Sequence, residues 1–268
     1  MVSPKINIPP RTDVAMPRTM LSDNAWEKLK QILKSSGRVY NKYEHRNTLE
    51  GILYRMRTGI PWRDLPKEFG DWSTVFRRFN LWSKKGVLDK LFESLALDGD
   101  AEWLFIDGSI VKAHQDSSGA ASDDEQAIGK SRGGNSTKIH LAVDSGGLPL
   151  YFELSGGQVN DIVHAESLIN HTPSTTSVIA DKGYDSQPLR DAIEVQGRTA
   201  NIPRRNNSKI GNADMDWCLY RYRHLVENAF MKIKKYRAVA TRYDKLARNY
   251  RSVVSLAFMM MWLPIHCD

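Results

Sequence analysis

Hydrophobic residues in the first hundred positions recur every three or four residues, which is the period of an amphipathic helix. This spacing predicts three helices, in the segments LSDNAWEKLKQIL, HRNTLEGILYRMRTG and STVFRRFNLWSKKG. Ser22 or Asp23 is expected to cap the first helix, and Gly59 and Pro61 should end the second. Residues 1–20 contain four prolines and no period, so we expect an extended arm there.

From about residue 101 the pattern changes to short apolar runs separated by turns, which indicates alternating strands and helices. Strands are predicted in EWLFID, KIHLAVDS, LPLYFELSG, SVIAD and TANIPR, and helices in DIVHAESLIN and SQPLRDAIEVQG. The second and third strands should form a hairpin through Gly146 and Gly147. Residues 115–137 lack any period and predict a mobile loop near the functional site. The fold class is therefore α/β, with an arm (1–20), a helical domain (21–98) and an α/β domain (99–268).

The longest apolar run, VVSLAFMMMWLPI, is shorter than the roughly 20 residues that a membrane span requires. It predicts a buried C-terminal helix and no membrane partner. Cys218 and Cys267 have neither metal-ligand nor disulfide spacing, and no signal peptide opens the chain. We therefore expect a cytoplasmic protein.

Charge is distributed unevenly along the chain. Residues 1–90 hold 18 Lys and Arg against 9 Asp and Glu, residues 91–200 hold 7 against 17, and residues 201–251 hold 13 against 4. Two basic segments suit a polyanion such as DNA or RNA, although a solvated basic face is the simpler alternative. Carboxylates near phosphates repel them unless cations lie between, so the acidic middle segment indicates bound metal.

The third predicted helix is basic, with Arg77 and Arg78 largely away from its apolar stripe. Three short helices of which the last is basic resemble a helix-turn-helix module, so these arginines are candidate DNA-binding residues. Small helical bundles with exposed arginines are common, and a purely structural role stays open.

Residues 220–235, YRYRHLVENAFMKIKK, predict a helix with one buried stripe. At about 100° per residue, four polar or aromatic side chains fall within roughly 60° on one face beside that stripe. They are Tyr220, Arg223, Glu227 and Lys234. An acid with two bases on the same face suits a site that holds cations and phosphates together.

Two aspartates each end a predicted strand, Asp107 in LFIDGS and Asp181 in VIADKGYDS. Either one alone is better explained as the start of a turn. In open α/β sheets, however, adjacent strand ends bring such residues together, and Glu227 could join them from a neighbouring helix. Three converging carboxylates would supply the hard oxygen ligands that a pair of Mg²⁺ ions requires.

These residues also carry a family resemblance. The spacing of Tyr220, Arg223, Glu227 and Lys234 resembles the Tyr-Arg-Glu-Lys signature of bacterial insertion-sequence transposases of the DDE class, in the insertion-sequence 4 and 5 superfamily. FIDGSIVKAHQ, GGNSTKIHLAVD and IADKGYDS are similar to further segments of that family, and the N-terminal helices resemble its helical domain. About 45 residues separate Asp181 from Glu227, which fits the compact insertion-sequence 5 type.

The resemblance implies a ribonuclease-H-like catalytic domain, with a mixed sheet flanked by helices, after a small helix-turn-helix-like domain. It implies that Asp107, Asp181 and Glu227 are catalytic and bind two Mg²⁺ ions, with Mn²⁺ as a substitute. It also implies DNA contacts by Tyr220, Arg223 and Lys234.

By the same resemblance, the protein would cut double-stranded DNA at terminal inverted repeats and join the 3′-hydroxyl ends to target DNA. It would act in the cytoplasm on the nucleoid, as a homodimer or larger assembly. A metal-dependent nuclease or resolvase on the same fold and a non-catalytic DNA-binding protein remain as alternatives.

Overall fold

The N-terminal part of this computed structural model consists of helices; the structure describes residues 17–35, 44–119 and 126–263. Its helices are α1 (Asp23–Ser35), α2 (Glu44–Thr58), α3 (Trp72–Lys84) and α4 (Val87–Ala96). Ser22 caps the first, because its Oγ accepts a hydrogen bond from the backbone N–H of Ala25 at 3.0 Å. The three predicted helices are confirmed. Most of the predicted arm, residues 1–16, lies outside the described residues.

The sequence interpretation missed α4, which has six buried residues. Its apolar positions, Val87, Leu88, Leu91, Phe92, Leu95 and Ala96, follow the helical period. Gly86 adopts φ 65° between α3 and α4, and glycine permits this left-handed turn without steric cost.

The remainder alternates strands and helices, as predicted. The strands are β1 (Trp103–Ala113), β2 (Gly129–Ser131), β3 (Gly134–Val143), β4 (Pro149–Gly156), β5 (Ser177–Ile179), β6 (Thr199–Asn201) and β7 (Thr241–Arg242). The helices are α5 (Ile162–Asn170), α6 (Gln187–Val195), α7 (Trp217–Tyr220), α8 (His224–Lys234), α9 (Arg237–Ala240) and α10 (Ala247–Trp262). Within the described residues, no helix is long and apolar enough to cross a bilayer.

The strands form one mixed sheet. β4, β3 and β1 are antiparallel neighbours, and β1, β5 and β6 then run parallel. β2 extends the sheet beside the start of β3, and β7 pairs with the last two residues of β1. The expected hairpin between β3 and β4 is confirmed, and Gly147 takes φ 76° in its turn.

Two expectations about strand limits were wrong. β1 does not end at Asp107 but continues for six more residues, because β3 supplies paired backbone groups as far as Lys112. Residues 115–137 are not one loop, since they include β2 and the beginning of β3. Residues 120–125 of that predicted loop lie outside the described residues.

Hydrophobic cores cover both faces of the sheet. Phe105 of β1 belongs to a large core that includes α1 to α4, α8 and α10, whereas Ile106 faces a smaller core with α5 and α6. The sixteen-residue α10 has ten buried residues and packs against α4, so the buried C-terminal helix is confirmed. α8 therefore packs on the face of β1 that carries the side chains of odd-numbered residues such as Phe105.

Candidate active site

Parallel pairing of β1 with β5 ends two residues before both Asp107 and Asp181. Trp103 of β1 pairs with Ser177 of β5, and Phe105 pairs with Ile179. The two members of each pair are 74 residues apart in sequence, and Asp107 and Asp181 are also 74 residues apart. Asp107 thus lies in mid-strand on β1, beside the segment that leaves the shorter β5.

The backbone holds one oxygen of each aspartate. Oδ1 of Asp107 accepts a hydrogen bond from the N–H of Gly108 at 2.7 Å. Oδ1 of Asp181 accepts one from the N–H of Gly183, also at 2.7 Å, and so caps the 3₁₀ turn Lys182–Tyr184. These bonds fix both carboxylates while leaving their second oxygens for other partners.

Burial raises the pKa of Asp107 from 3.8 to about 6. The Gly108 hydrogen bond and Arg223 oppose this rise in pKa, and the negative charges of Asp181 and Asp161 add to it. Burial therefore makes the ionised form of Asp107 costly even with Arg223 beside it, and a bound cation would offset that cost.

Arg223 joins Asp107 to Glu227. Its Nη1 donates to Oδ2 of Asp107 at 3.1 Å, and its Nη2 donates to Oε1 of Glu227 one helical turn later. The side chain of Asp107 is 18% exposed and that of Glu227 is 48% exposed. The guanidinium group of Arg223 thus lies between Glu227 and Asp107 and binds both. In the described part of the chain, no three His, Cys, Asp or Glu side chains form a group that could hold a metal ion.

The predicted helix over residues 220–235 is divided. α7 leads into a 3₁₀ turn, Arg221–Arg223, and α8 then begins at His224. The buried stripe is as predicted, with Val226, Phe230 and Ile233 in the core. Because a 3₁₀ turn has three residues per turn rather than 3.6, Tyr220 is rotated relative to the residues of α8.

The four residues of the helical signature have different surroundings. Arg223 binds the two acids, whereas Nζ of Lys234 donates to Oγ of Ser109 at 2.7 Å and to the carbonyl of Ile110 at 3.3 Å. Burial lowers the pKa of Lys234. Tyr220 packs against the large core and makes an edge contact with Trp217, with ring centroids 5.7 Å apart. Arg223 and Lys234 thus both bind residues of β1. Arg223 binds Asp107, and Lys234 binds Ser109, which is two residues further along the strand.

The two arginines of α3 lie outside this site and differ from each other. Arg77 is exposed, and its guanidinium donates to Ser73 and Thr74 in the preceding turn of its own helix. Arg78 is half-buried, and its Nη1 lies 2.8 Å from Nε2 of His45. Since an arginine can only donate, this His45 nitrogen accepts.

Sequence reasoning missed Asp161, which lies beside Gly108 at the start of α5. In sequence it resembles an ordinary helix-capping aspartate, so no local signal marks it. Only the packing of α5 on β1 shows that a further acid is next to Asp107.

Comparison with known proteins identifies the two parts of the chain separately. Residues 21–92 match the family described as "Putative transposase of IS4/5 family (DUF4096)", and residues 98–262 match the family "Transposase DDE domain". Both matches agree with the resemblance in the sequence motifs.

Bacterial relatives are similar over about half of the chain. A protein of Brucella ovis, "Putative transposase for insertion sequence element IS6501", is 35% identical over 127 residues, which are 47% of this chain and 98% of that protein. The uncharacterized protein y4sN of Sinorhizobium fredii is 34% identical over 128 residues, covering 47% of this chain and 96% of the relative.

A solved structure shares the fold. The piggyBac transposase in a synaptic complex with hairpin DNA aligns with a TM-score of 0.51 at 11% identity, over 89% of this chain and 70% of that one. The mixed sheet with flanking helices is thus the expected ribonuclease-H-like arrangement. A family model that covers residues 98–262 includes Asp107, Asp181 and Glu227 together. The chain belongs to the family of DDE transposases, and its function is DNA transposition.

Proposed function

We propose that Asp107, Asp181 and Glu227 are the catalytic acids with which this transposase cuts DNA at the ends of its insertion sequence. The same acids would then serve the joining of the 3′-hydroxyl ends to target DNA. The observation that supports this most strongly is the parallel pairing of β1 with β5, whose last pair lies two residues before Asp107 and Asp181, together with Arg223, which connects Asp107 to Glu227.

The donor set fits divalent metal ions, which DDE transposases normally use. Carboxylate oxygens are the hard ligands that Mg²⁺ and Mn²⁺ prefer. The raised pKa of Asp107, caused first by burial, means that its ionised form is costly, and a bound cation would lower that cost. Among the described residues no three acids are yet grouped to hold a metal ion, so Asp107, Asp181 and Glu227 would hold two Mg²⁺ ions, or Mn²⁺ in their stead, after Arg223 leaves Asp107 and Glu227. When bound, such ions activate the attacking oxygen and neutralise charge on the phosphate.

Arg223 would change partners during the reaction. In this structure it neutralises Asp107 and Glu227, the same carboxylates that the proposal assigns to metal. With cations bound at those carboxylates, the guanidinium of Arg223 would be free to form a bidentate contact with a DNA phosphate. Arg223 would therefore offset the repulsion between the two acids before DNA binds and contact DNA afterwards.

Other proposed DNA contacts follow from position and charge. Tyr220 and Lys234 lie on either side of Arg223 in the helical segment, and both would contact DNA bound at Arg223. The exposed Arg77 would bind DNA from α3, whereas Arg78, the other candidate on that helix, is half-buried against His45 and would have a structural role. Two insertion-sequence ends must be held together for transposition, so we propose a homodimer or larger assembly on double-stranded DNA of the nucleoid, in the cytoplasm.

The catalytic proposal is tested with Asp107→Asn, Asp181→Asn and Glu227→Gln, assayed on DNA carrying the element's own end with Mg²⁺ or Mn²⁺. Each should lose at least about 100-fold in cleavage rate, since each removes charge stabilisation at the reacting phosphate. Asp191→Asn, on the exposed surface of α6, is the matched control and should cleave normally. Wild-type rates in the three variants would contradict the assignment.

A second assay distinguishes transposition chemistry from simple hydrolysis. A pre-cut end with a 3′-hydroxyl is supplied with plasmid target, and joined products are measured. A nuclease or resolvase on this fold would cleave without joining, whereas a non-catalytic DNA binder would do neither. The proposal requires both activities to depend on the same three acids.

A further inference from the structure

Asp161 begins α5 but does not cap it. An aspartate in this position ordinarily accepts hydrogen bonds from the first backbone N–H groups of its helix. Here the residue has helical backbone angles, φ −59° and ψ −35°, and makes no side-chain capping bond. Its carboxylate is turned towards β1 instead, so the usual structural reason for an aspartate at this position does not apply.

Gly108 makes room for this carboxylate. A Cβ atom built on Gly108 would overlap Oδ1 of Asp161 and lie 2.7 Å from its Cγ, so any larger residue would displace the acid. The N–H of the same glycine binds Asp107. The carboxylates of Asp107 and Asp161 are thus both in contact with the single residue Gly108, one at its N–H and the other at its Cα.

Buried groups of β3 hold Asp161 there. Nζ of Lys138 lies 3.1 Å from Oδ1 of Asp161 and also donates to the carbonyl of Val159 at 2.6 Å. His140 is fully buried, and its Nδ1 faces the same carboxylate oxygen at 3.5 Å. Within the described residues, Oδ2 of Asp161 has no hydrogen-bond donor, and the side chain is 34% exposed. Oδ1 is thus paired with Lys138 by charge but is buried without a hydrogen bond in the described part of the chain, and Oδ2 is available.

Ser155, His140 and Asp161 follow one another in an arrangement that resembles a hydrolytic triad. Ser155 Oγ lies 2.8 Å from Nε2 of His140, whose Nδ1 faces Asp161. Ser155 is 5% exposed and His140 is fully buried, so no substrate reaches the serine. Burial lowers the pKa of His140 to about 3, which keeps its ring neutral. Ser155 and His140 therefore pack beside Asp161 without binding it, since neither Nδ1 of His140 nor Oδ1 of Asp161 makes a hydrogen bond among the described residues.

A buried hydroxyl points to the same place. Tyr184 is 1% exposed, and its hydroxyl has no hydrogen-bond partner among the described residues. Burial raises the pKa of Tyr184, and the next causes in order are the charges of Asp161, Asp107 and Asp181. A buried, unpaired phenol within electrostatic range of three aspartates marks a polar centre that the protein's own groups leave incomplete.

We propose that Asp161 is a positioning residue of the cation site, a fourth acid that strengthens the binding of divalent metal by Asp107 and Asp181. This inference rests on the proposed function of those two aspartates. Asp161 acts from the α5 side of β1, whereas Glu227 acts from the α8 side. The cation site would then draw acids from both faces of the strand.

The simpler alternative is that Asp161 only neutralises the buried Lys138. The two roles are separated by measuring Mn²⁺ binding to the full-length protein without DNA, from the electron paramagnetic resonance signal of free Mn²⁺. Asp161→Asn should raise the apparent Kd for Mn²⁺ about tenfold or more, as loss of a group that supports metal ligands does. Glu166→Gln, on the exposed side of the same helix, should not change it.

A double variant, Lys138→Met with Asp161→Asn, removes both charges of the buried pair and so avoids an unpaired lysine. If Asp161 serves the cation site, this variant also binds Mn²⁺ about tenfold more weakly, whatever its thermal stability. Wild-type Mn²⁺ affinity in the double variant would overturn the inference, as would wild-type affinity in Asp161→Asn.

The failure of this inference differs from that of the proposed function. If Asp107→Asn abolishes Mn²⁺ binding while Asp161→Asn leaves it unchanged, the catalytic proposal stands and only the role of Asp161 is wrong. If Asp107→Asn has no effect on Mn²⁺ binding, the proposed metal site itself is wrong, and the role of Asp161 fails with it.

Discussion

At the scale of single residues, Asp107 shows how burial and charge prepare a site for a cation. It accepts bonds from Gly108 and Arg223, yet its pKa is still raised to about 6 by burial and, secondarily, by neighbouring aspartates. An acid whose pKa is higher in the folded than in the unfolded state destabilises the fold once it ionises. A bound cation would reverse that penalty.

We therefore predict that Asp107→Asn stabilises the metal-free protein. From about pH 4 to about pH 6 the folded state binds a proton that the unfolded state has lost, so wild-type stability should fall as pH rises through this window. At about pH 7.5 the variant should gain roughly 1 to 3 kcal/mol in the free energy of unfolding, and at about pH 4 almost nothing. Urea unfolding in the presence of a chelator measures both values.

Asp191→Asn serves as the control, since this exposed side chain should leave the pH profile unchanged. A loss of stability in Asp107→Asn at neutral pH would mean that the ion pair with Arg223 outweighs the cost of burying the carboxylate.

At the scale of elements, α3 presents two adjacent arginines with different tasks. Helical geometry separates consecutive side chains by about 100°, so neighbours in sequence face different surroundings. Arg77 is exposed over its own helix, whereas Arg78 contacts the buried His45 and lies over Trp82, 5.9 Å from its ring centroid. Sequence pattern alone treats the two as equivalent.

We predict that Arg77→Ala weakens DNA binding without lowering thermal stability. If Arg77 contacts one phosphate, its loss should reduce the slope of log affinity against log salt concentration by about one. Arg78→Ala should instead lower the melting temperature, because it removes a hydrogen bond and a cation–π contact with buried groups. Fluorescence anisotropy with end DNA at several salt concentrations, together with thermal melts, measures both effects.

The opposite pattern would contradict this prediction. If Arg78→Ala alters the salt slope and Arg77→Ala alters only the melting temperature, Arg78 rather than Arg77 contacts DNA. Lys90→Ala, on the exposed face of α4, provides a comparison for the loss of a surface charge nearby.

At the scale of the whole molecule, one core runs across the predicted boundary between residues 98 and 99. The helices α1 to α4 share buried contacts with the sheet and with α10 in the large core. Phe258 of α10 lies 5.7 Å from Phe92 of α4 and 5.2 Å from Phe152 of β4, measured between ring centroids. The helical part therefore packs directly on the catalytic part.

We predict that Phe258→Ala lowers the free energy of unfolding of the whole chain by about 3 to 5 kcal/mol, as for a large buried ring replaced by a cavity. Circular dichroism and tryptophan fluorescence should report the same single transition before and after the change. Leu97→Ala is the control, because this leucine is 83% exposed and should alter stability by less than about 0.5 kcal/mol. Two separate transitions would show that residues 21–98 and 99–268 fold as independent domains.

The amino-acid sequence alone was enough to predict the local features of the fold. Periodicity marked α1, α2, α3 and the buried stripe of α8, because a helix or strand repeats its burial at a fixed interval along the chain. The motifs around Asp107, Asp181 and Glu227 indicated the family, because each is a short run of residue types at fixed spacing. These signals are local, so they are readable without a fold.

Tertiary structure decided what those local features contact. The length of β1 depended on hydrogen bonds from β3, and the partners of Lys234 depended on how α8 packs over Ser109. Asp161 neighbours Asp107 only because Gly108 lets α5 approach β1. Such contacts join residues tens of positions apart, and no pattern confined to one segment encodes the distance between them.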